Sequence, residues 1–277
     1  VWWIEWKQEV LEFLEASRLA KAGVTDKLRQ WKQKRRAEFW SEDMADSQVV
    51  LHQGGFTKLE HEDGQPIDGE VRRFATIDPG GDHFWMTIAA WRQGGTCRIL
   101  YEGYVASDGG FENGLKALAD QYKVEPALTF IDIGYEQDRI LDLCVLHGWT
   151  GIKGDGNKRS FTHRPPNQKP VEKMFSPIHR ARAKSGGIAK FFFVASNAIK
   201  DVLARMLAAG DQIEIPADVS KAFQNHMKCE RRQVERNAKT GEEKAIWVRP
   251  GSKANHLWDT MCYQVAAALA MRVFDDE

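Results

Sequence analysis

In Val71-Arg-Arg-Phe-Ala-Thr-Ile-Asp78-Pro-Gly-Gly81 the texture changes, and Phe74–Asp78 reads as a strand that stops on a carboxylate before a turn at Pro79-Gly80-Gly81. The next two apolar runs, Phe84–Trp91 and Cys97–Tyr104, are separated by the hairpin signal Gln93-Gly94-Gly95. Three strands in such close succession predict an antiparallel meander whose first strand ends at Asp78.

Downstream the period changes. The pattern predicts a helix over Phe111–Tyr122, a short strand Leu128–Asp132, a helix Gln137–Leu146 closed by Gly148, and a strand Thr150–Lys153. Residues 154–188 read as a long basic loop. After it come a strand at Phe191–Val194, a helix at Ala198–Leu207, a strand at Ile213–Ile215 and a helix at Val219–Lys228. Glu230–Arg236 and Ala245–Arg249 form a hairpin around residues 237–241, and a strong helix runs from His256 to about Phe274. A meander followed by helix–strand alternation predicts an α/β protein with a mixed central sheet flanked by helices. That order is what a ribonuclease H-like core requires.

Outward on the N-terminal side, residues 1–45 form a charged, helix-favouring block. Ile4, Val10, Leu11, Leu14 and Leu19 approximate one apolar stripe, Gly23 breaks it, and Thr25-Asp26 caps a second helix through Trp40. Residues 46–69 are polar and Gly-rich, an irregular linker, so the main domain is expected over 70–277. The opening Val1-Trp-Trp-Ile-Glu-Trp6 reads as the interior of a longer protein.

Composition removes several classes. Of 277 residues 43% are hydrophobic, including 10 Trp and 14 Phe, enough for a sizeable core. No apolar stretch approaches the roughly 18 to 20 residues that span a bilayer, and no secretory pattern opens the chain. Cys97, Cys144, Cys229 and Cys262 are scattered and predict reduced, buried thiols. His226, Cys229 and Cys262 lack a fourth ligand at zinc-site spacing. Lys+Arg and Asp+Glu are both 39, so polyanion binding requires an uneven charge distribution. That unevenness exists: Lys153–Lys190 carries ten Lys/Arg against two acids.

Three aspartates carry the chemistry. Asp78 and Asp132 each end an apolar strand before a Gly-containing turn, and neighbouring strands would bring them to one sheet edge. Like charges a few ångströms apart conflict unless a cation such as Mg²⁺ or Mn²⁺ lies between them. Asp259 borders the apolar stripe Trp258, Cys262, Val265 and Leu269 of the last helix, and Ala266-Ala267-Ala268 lets that helix approach the sheet closely. Each has a plainer role open to it: turn residue for Asp78, helix cap for Asp132, first-turn acid for Asp259. Asp82, His256 and Lys153 are auxiliary candidates. Asp82 also reads as a turn residue, and His256 as a cap, a phosphate contact or an orienting partner of Asp259.

Ala75-Thr-Ile-Asp78-Pro-Gly-Gly-Asp-His83, Phe130-Ile-Asp132-Ile-Gly-Tyr135, Gly151-Ile-Lys153-Gly154 and Asn255-His-Leu-Trp-Asp259-Thr-Met-Cys-Tyr263 resemble the nuclease half of the large terminase subunit of tailed bacteriophages. The resemblance covers about residues 70–277, and residues 1–45 look like the connection that follows the motor's ATPase domain. It implies a ribonuclease H-like, two-metal endonuclease using Mg²⁺ or Mn²⁺, with Asp78, Asp132 and Asp259 as metal ligands and catalytic residues. It also implies double-stranded DNA as substrate and an upstream ATPase domain, the portal and the small terminase subunit as partners. The expected location is the host cytoplasm and, transiently, the procapsid. No GxxxxGK[ST] loop is present, so nothing in this chain cradles ATP phosphates in that way.

The DNA backbone is expected on the basic stretch through Lys158, Arg159, Arg164 and Lys169, with Arg231 and Arg232 of the hairpin as a second contact. Few aromatics interleave that stretch, so base stacking and sequence readout there are expected to be weak. Two other functions fit the same residues: another ribonuclease H-like nuclease, resolvase or transposase, and a catalytically silent DNA-binding assembly module.

Overall fold

The computed structural model describes residues 6–21, 27–28, 31–32, 35, 56–57, 66–81, 83–106, 111–236, 243–251 and 253–275. The N-terminal helix α1 (Trp6–Lys21) forms, and Lys27, Leu28, Trp31, Lys32 and Arg35 are helical. The rest of the second helix expected there, most of the 46–69 linker and Asp82 fall outside the described residues.

The meander forms as expected. β2 (Glu70–Pro79) pairs antiparallel with β3 (His83–Arg92), and β3 with β4 (Cys97–Ala106). At the first turn the Gly80 N–H donates to the His83 carbonyl at 2.7 Å. A Cβ on Gly80 would stand 2.6 Å from the His83 ring, so only glycine lets that imidazole lie against the turn. After α2 (Phe111–Gln121), β5 (Thr129–Asp132) pairs parallel to β2. After α3 (Gln137–His147), β6 (Thr150–Asp155) pairs parallel to β5.

The basic segment 154–188 is not the unbroken loop its composition suggests. β7 (Phe161–His163) and β8 (Val171–Lys173) form a small antiparallel ladder, and β9 (His179–Arg182) adds an edge to the main sheet beside β10 (Ile188–Ala195). Short charged strands such as His179-Arg-Ala-Arg182 escape pattern reading because an edge strand buries little apolar surface. β10 runs parallel to β6, and α4 (Ser196–Ala209) follows it directly. β11 (Ile213–Pro216) lies parallel to β4, with the two-residue β1 (Phe56–Thr57) beside it. The sheet order is β1-β11-β4-β3-β2-β5-β6-β10-β9, a mixed sheet compatible with the ribonuclease H-like fold. α5 (Lys221–His226), the hairpin β12 (Arg231–Arg236)–β13 (Glu243–Val248) and α6 (His256–Ala270) complete the chain.

Each face of the sheet has its own core. Leu115 and Ala119 of α2 and Ile140, Leu141 and Cys144 of α3 pack against one face. α4, α5 and α6 pack against the other, where Trp91, Phe74, Phe130 and Phe192 are fully covered. All four cysteines are free and buried. No helix among the described residues is long and apolar enough to cross a membrane.

α6 is not held by apolar contact alone. Gln264, fully buried, donates to the Phe74 carbonyl at 3.0 Å, Thr76 Oγ1 at 3.1 Å and the Thr87 carbonyl at 3.0 Å, and accepts from the Trp91 indole at 2.9 Å. One turn earlier, Thr76 Oγ1 donates to the Thr260 carbonyl at 3.0 Å, and the Thr87 and Thr260 hydroxyls meet at 2.7 Å. Thr76 and Thr87 are themselves cross-strand partners. The helix ends earlier than the apolar pattern suggests. Arg272 adopts φ 62°, Val273 N–H reaches the Ala268 carbonyl and Arg272 N–H the Leu269 carbonyl, a Schellman closure that cannot continue as helix.

Replacing Gln264 by Leu keeps the volume and strands the Trp91 indole N–H. Stability is expected to fall by about 2–3 kcal/mol, read as the shift of the urea unfolding midpoint. An unchanged midpoint would show the seam to be dispensable.

Candidate active site

Asp78 and Asp132 stand at the same end of adjacent parallel strands. The register pairs Ile77 with Ile131, so the next residue on each strand carries a carboxylate. α6 crosses above them and brings Asp259 on its first turn. The three charges share one field. Burial raises the Asp132 carboxyl above the usual range, and the nearby Asp78 charge adds to it against the hydrogen bonds from Tyr263 and Gly134. Asp259 is pushed from 3.8 to about 7, first by burial and then by Asp78, Glu230 and Asp132, with Lys200 opposing.

Each carboxylate is also held by side chains from its surroundings. His256 Nδ1 lies 2.7 Å from Asp78 Oδ2, so the histidine serves Asp78 and not Asp259. The Tyr263 hydroxyl donates to Asp132 Oδ2 at 2.7 Å, and the Gly134 N–H donates to Asp132 Oδ1 at 2.7 Å. Asp132 therefore closes an Asx turn. The N-cap position of α3 belongs to Glu136, whose side chain makes no capping bond. Asn255 Nδ2 donates to Asp259 Oδ2 at 2.7 Å and to Glu230 Oε1 at 3.0 Å. Lys200 of α4 approaches Asp259 Oδ1 at 3.8 Å and donates to both Glu230 oxygens at 2.8 and 2.7 Å.

Lys200 and Glu230 were not singled out by sequence. Lys200 occupies an ordinary helix position and Glu230 follows a buried cysteine, and neither has a local signal. They meet only because α4 and the start of β12 converge beneath α6. Tyr263 and Asn255 lie inside the Asn255–Tyr263 motif, but their roles as partners of Asp132 and Asp259 are tertiary facts.

A floor of rings extends the site across the meander. Asp78 is paired with Trp85 on β3, and Trp85 with Tyr104 on β4, so all three project from one face. The His256 ring lies flat on Trp85, with centroids 5.7 Å apart and planes 4° apart. His226 meets Trp85 edge-on at 5.0 Å and accepts the Leu257 N–H on Nδ1 at 3.2 Å. Burial, with the charge of His256, lowers His226 to about 4, so it is neutral at physiological pH and able to accept that bond at the start of α6.

The auxiliary and DNA-contact candidates separate. Lys153 donates to Gln137 Oε1 at 3.2 Å and its charge reaches Asp132. Lys158, Arg164, Lys169 and Arg231 are exposed. Arg159 and Arg232 turn inward. Arg159 donates to Asp201 Oδ2 at 2.9 Å and to the Ala245 carbonyl at 2.7 Å, while buried Arg232 donates to Asp201 Oδ1 at 3.0 Å. The Trp247 indole donates to the same Asp201 oxygen at 2.8 Å. A single carboxylate on α4 thus pins both the basic segment and the β12–β13 hairpin.

Among the described residues no group of three or more His, Cys, Asp or Glu side chains is gathered tightly enough to hold a metal ion as it stands. The donor chemistry nonetheless suits a hard divalent cation: the charge of Asp78 favours protonation of both Asp132 and Asp259, and half-buried Lys200 opposes it at Asp259.

Compared with known proteins, residues 2–276 match the family model described as terminase large subunit gpA, endonuclease domain. No curated protein matches the chain.

Because Asp259 is raised in the fold above its ordinary value, its ionisation opposes folding: the contribution is favourable below about pH 4 and is lost as pH rises through about 7. In EDTA at pH 8, Asp259→Asn is expected to be more stable than the parent chain by about 2 kcal/mol, and the gain should vanish at pH 4. Denaturant melts at both pH values measure this. A variant that melts earlier than the parent at pH 8 would contradict it.

Proposed function

The chain belongs to the terminase large-subunit endonuclease family, and from that premise we propose that it is a divalent-metal-dependent endonuclease that cuts double-stranded DNA during viral genome packaging. The observation that carries the proposal is the convergence of Asp78, Asp132 and Asp259, where burial first, and then the charges of Asp78, Glu230 and Asp132, push Asp259 to about 7. Buried carboxylates in such proximity oppose folding, and a site that tolerates them is suited to a cation.

Asp78, Asp132 and Asp259 would hold two ions, Mg²⁺ or Mn²⁺. Ions held there would supply the charge that activates a water for attack on the phosphodiester and stabilises the departing oxygen. The chain's own groups do the positioning. His256 fixes the Asp78 carboxylate through Oδ2, Tyr263 and the Gly134 N–H fix Asp132, and Asn255 fixes Asp259. Lys200 supplies positive charge behind Asp259 and is itself held by Glu230. Lys153 places a further cation near Asp132.

Phosphate contact falls to the exposed Lys158, Arg164, Lys169 and Arg231. Arg159 and Arg232 act indirectly, by anchoring the elements that carry those residues to Asp201. In the packaging assembly the partners would be an ATPase domain of the same protein, the portal and the small terminase subunit.

A plasmid-nicking assay with Mg²⁺ or Mn²⁺ tests the chemistry. Asp78→Ala and Asp259→Ala are each expected to lose at least about a hundredfold in cleavage rate while remaining folded. Cutting by Asp78→Ala at the parent rate in Mn²⁺ would remove Asp78 from the site. No cleavage and no Mn²⁺ binding by the parent chain would favour the silent assembly module.

Duplex binding should also depend on salt. With several phosphate contacts, affinity is expected to fall at least about tenfold between roughly 50 and 200 mM salt. A flat affinity over that range would exclude the basic stretch as a backbone contact.

A further inference from the structure

From the row of rings that runs out of the acid site we infer a stacking shelf, centred on Tyr104, that receives an unpaired base of the DNA strand lying in the site. The inference rests on the endonuclease proposal and narrows its substrate to DNA that is locally unpaired beside the cut.

Asp78, Trp85 and Tyr104 are successive cross-strand partners on β2, β3 and β4 and share one face. Two strand spacings separate Asp78 from Tyr104, about 10 Å, or about three base rises along a stacked strand. Tyr104 stays 50% exposed although it is a large aromatic. An exposed tyrosine alone is ordinary. This one is backed by other rings: His83 stacks against it with centroids 5.2 Å apart and planes 25° apart, and Trp85 meets its edge at 5.5 Å. His83 also meets His256 edge-on at 5.6 Å, which ties the shelf to the side chain holding Asp78. Gly80 leaves room for the His83 ring, since a Cβ there would stand 2.6 Å from it. A ring fixed before the ligand arrives offers contact area at small entropic cost.

A base has a face to offer such a ring only when it has left the duplex stack. Within a helix its faces are covered by neighbours and only its edges are reachable. Flipping or unstacking a paired base costs a few kcal/mol, and an unpaired base costs least. The shelf therefore favours a strand that is frayed, nicked or gapped within a few nucleotides of the scissile phosphate. The basic segment 154–190 is poor in rings and binds backbone. The shelf on β3 and β4 supplies the stacking that segment lacks.

The test is fluorescence anisotropy of the whole chain in EDTA with three labelled DNAs: a blunt duplex, the same duplex with a short internal single-stranded gap, and a single strand. Tyr104→Leu, which keeps apolar bulk without a ring, is expected to bind gapped and single-stranded DNA about tenfold more weakly and blunt duplex within about twofold of the parent. Tyr104→Phe should bind all three like the parent. If Tyr104→Leu does not fold, His83→Leu removes the backing ring and should show the same selective loss. Parent-like binding of gapped DNA by the ring-less variant, or an equal loss on all three DNAs, would overturn the shelf. Because EDTA prevents cleavage, the result is read apart from nuclease activity. A chain that cuts no plasmid yet shows the selective loss would sink the endonuclease proposal and leave the shelf standing.

Discussion

The placement of every group in the site depends on the buried polar seam between α6 and the first hairpin of the meander. Gln264 and Thr260 engage Thr76, Thr87, Phe74 and Trp91 through hydrogen bonds that are shielded from water. Apolar packing would let a helix slide or rotate at little cost, because one alanine resembles the next. A fully satisfied polar network has one good register, since any shift leaves donors and acceptors unpaired in a dry interior. Ala266, Ala267 and Ala268 bring the helix close, and the seam determines where along the sheet it stops. From that register follow His256 beside Asp78, Asp259 above the strand ends and Tyr263 beside Asp132.

The site is electrostatically uncomfortable by construction. Asp78, Asp132 and Glu230 all act on Asp259, and Lys200, paired with Glu230 and near Asp259, opposes them. His256, Tyr263, Asn255 and Lys200 each satisfy part of a carboxylate. Such partners also keep the carboxylates oriented, as the proposed binding of a divalent ion would require. A second node, Asp201, draws Arg159, Arg232 and Trp247 inward and makes the β12–β13 hairpin part of the framework around α4.

Much of the architecture was legible in the chain. The alternations in Val71–Trp91, the hairpin glycines and the apolar stripe of the last helix follow from backbone period, which is local. The ends were less legible. The edge strand His179–Arg182 buries too little to leave a pattern, and the Schellman closure at Arg272 ends α6 with no glycine to announce it. Candidate-site residues divide the same way. Strand-end aspartates and a first-turn aspartate can be found by position. Lys200 and Glu230 sit at positions with no local signal to set them apart from surface charges.

The sequence by itself determined which carboxylates lie at the ends of elements, because strand period, turn chemistry and helix phase act over a few residues. Tertiary structure alone decided what each one meets. His256 reaches Asp78 across 178 positions of chain and Tyr263 reaches Asp132 across 131, and Arg159 and Arg232, basic residues of apparently exposed segments, turn to Asp201 instead. The physical reason is that a polar side chain's partner is set by the packing of distant elements, where the cost of an unpaired buried group selects one arrangement and no local pattern records the choice.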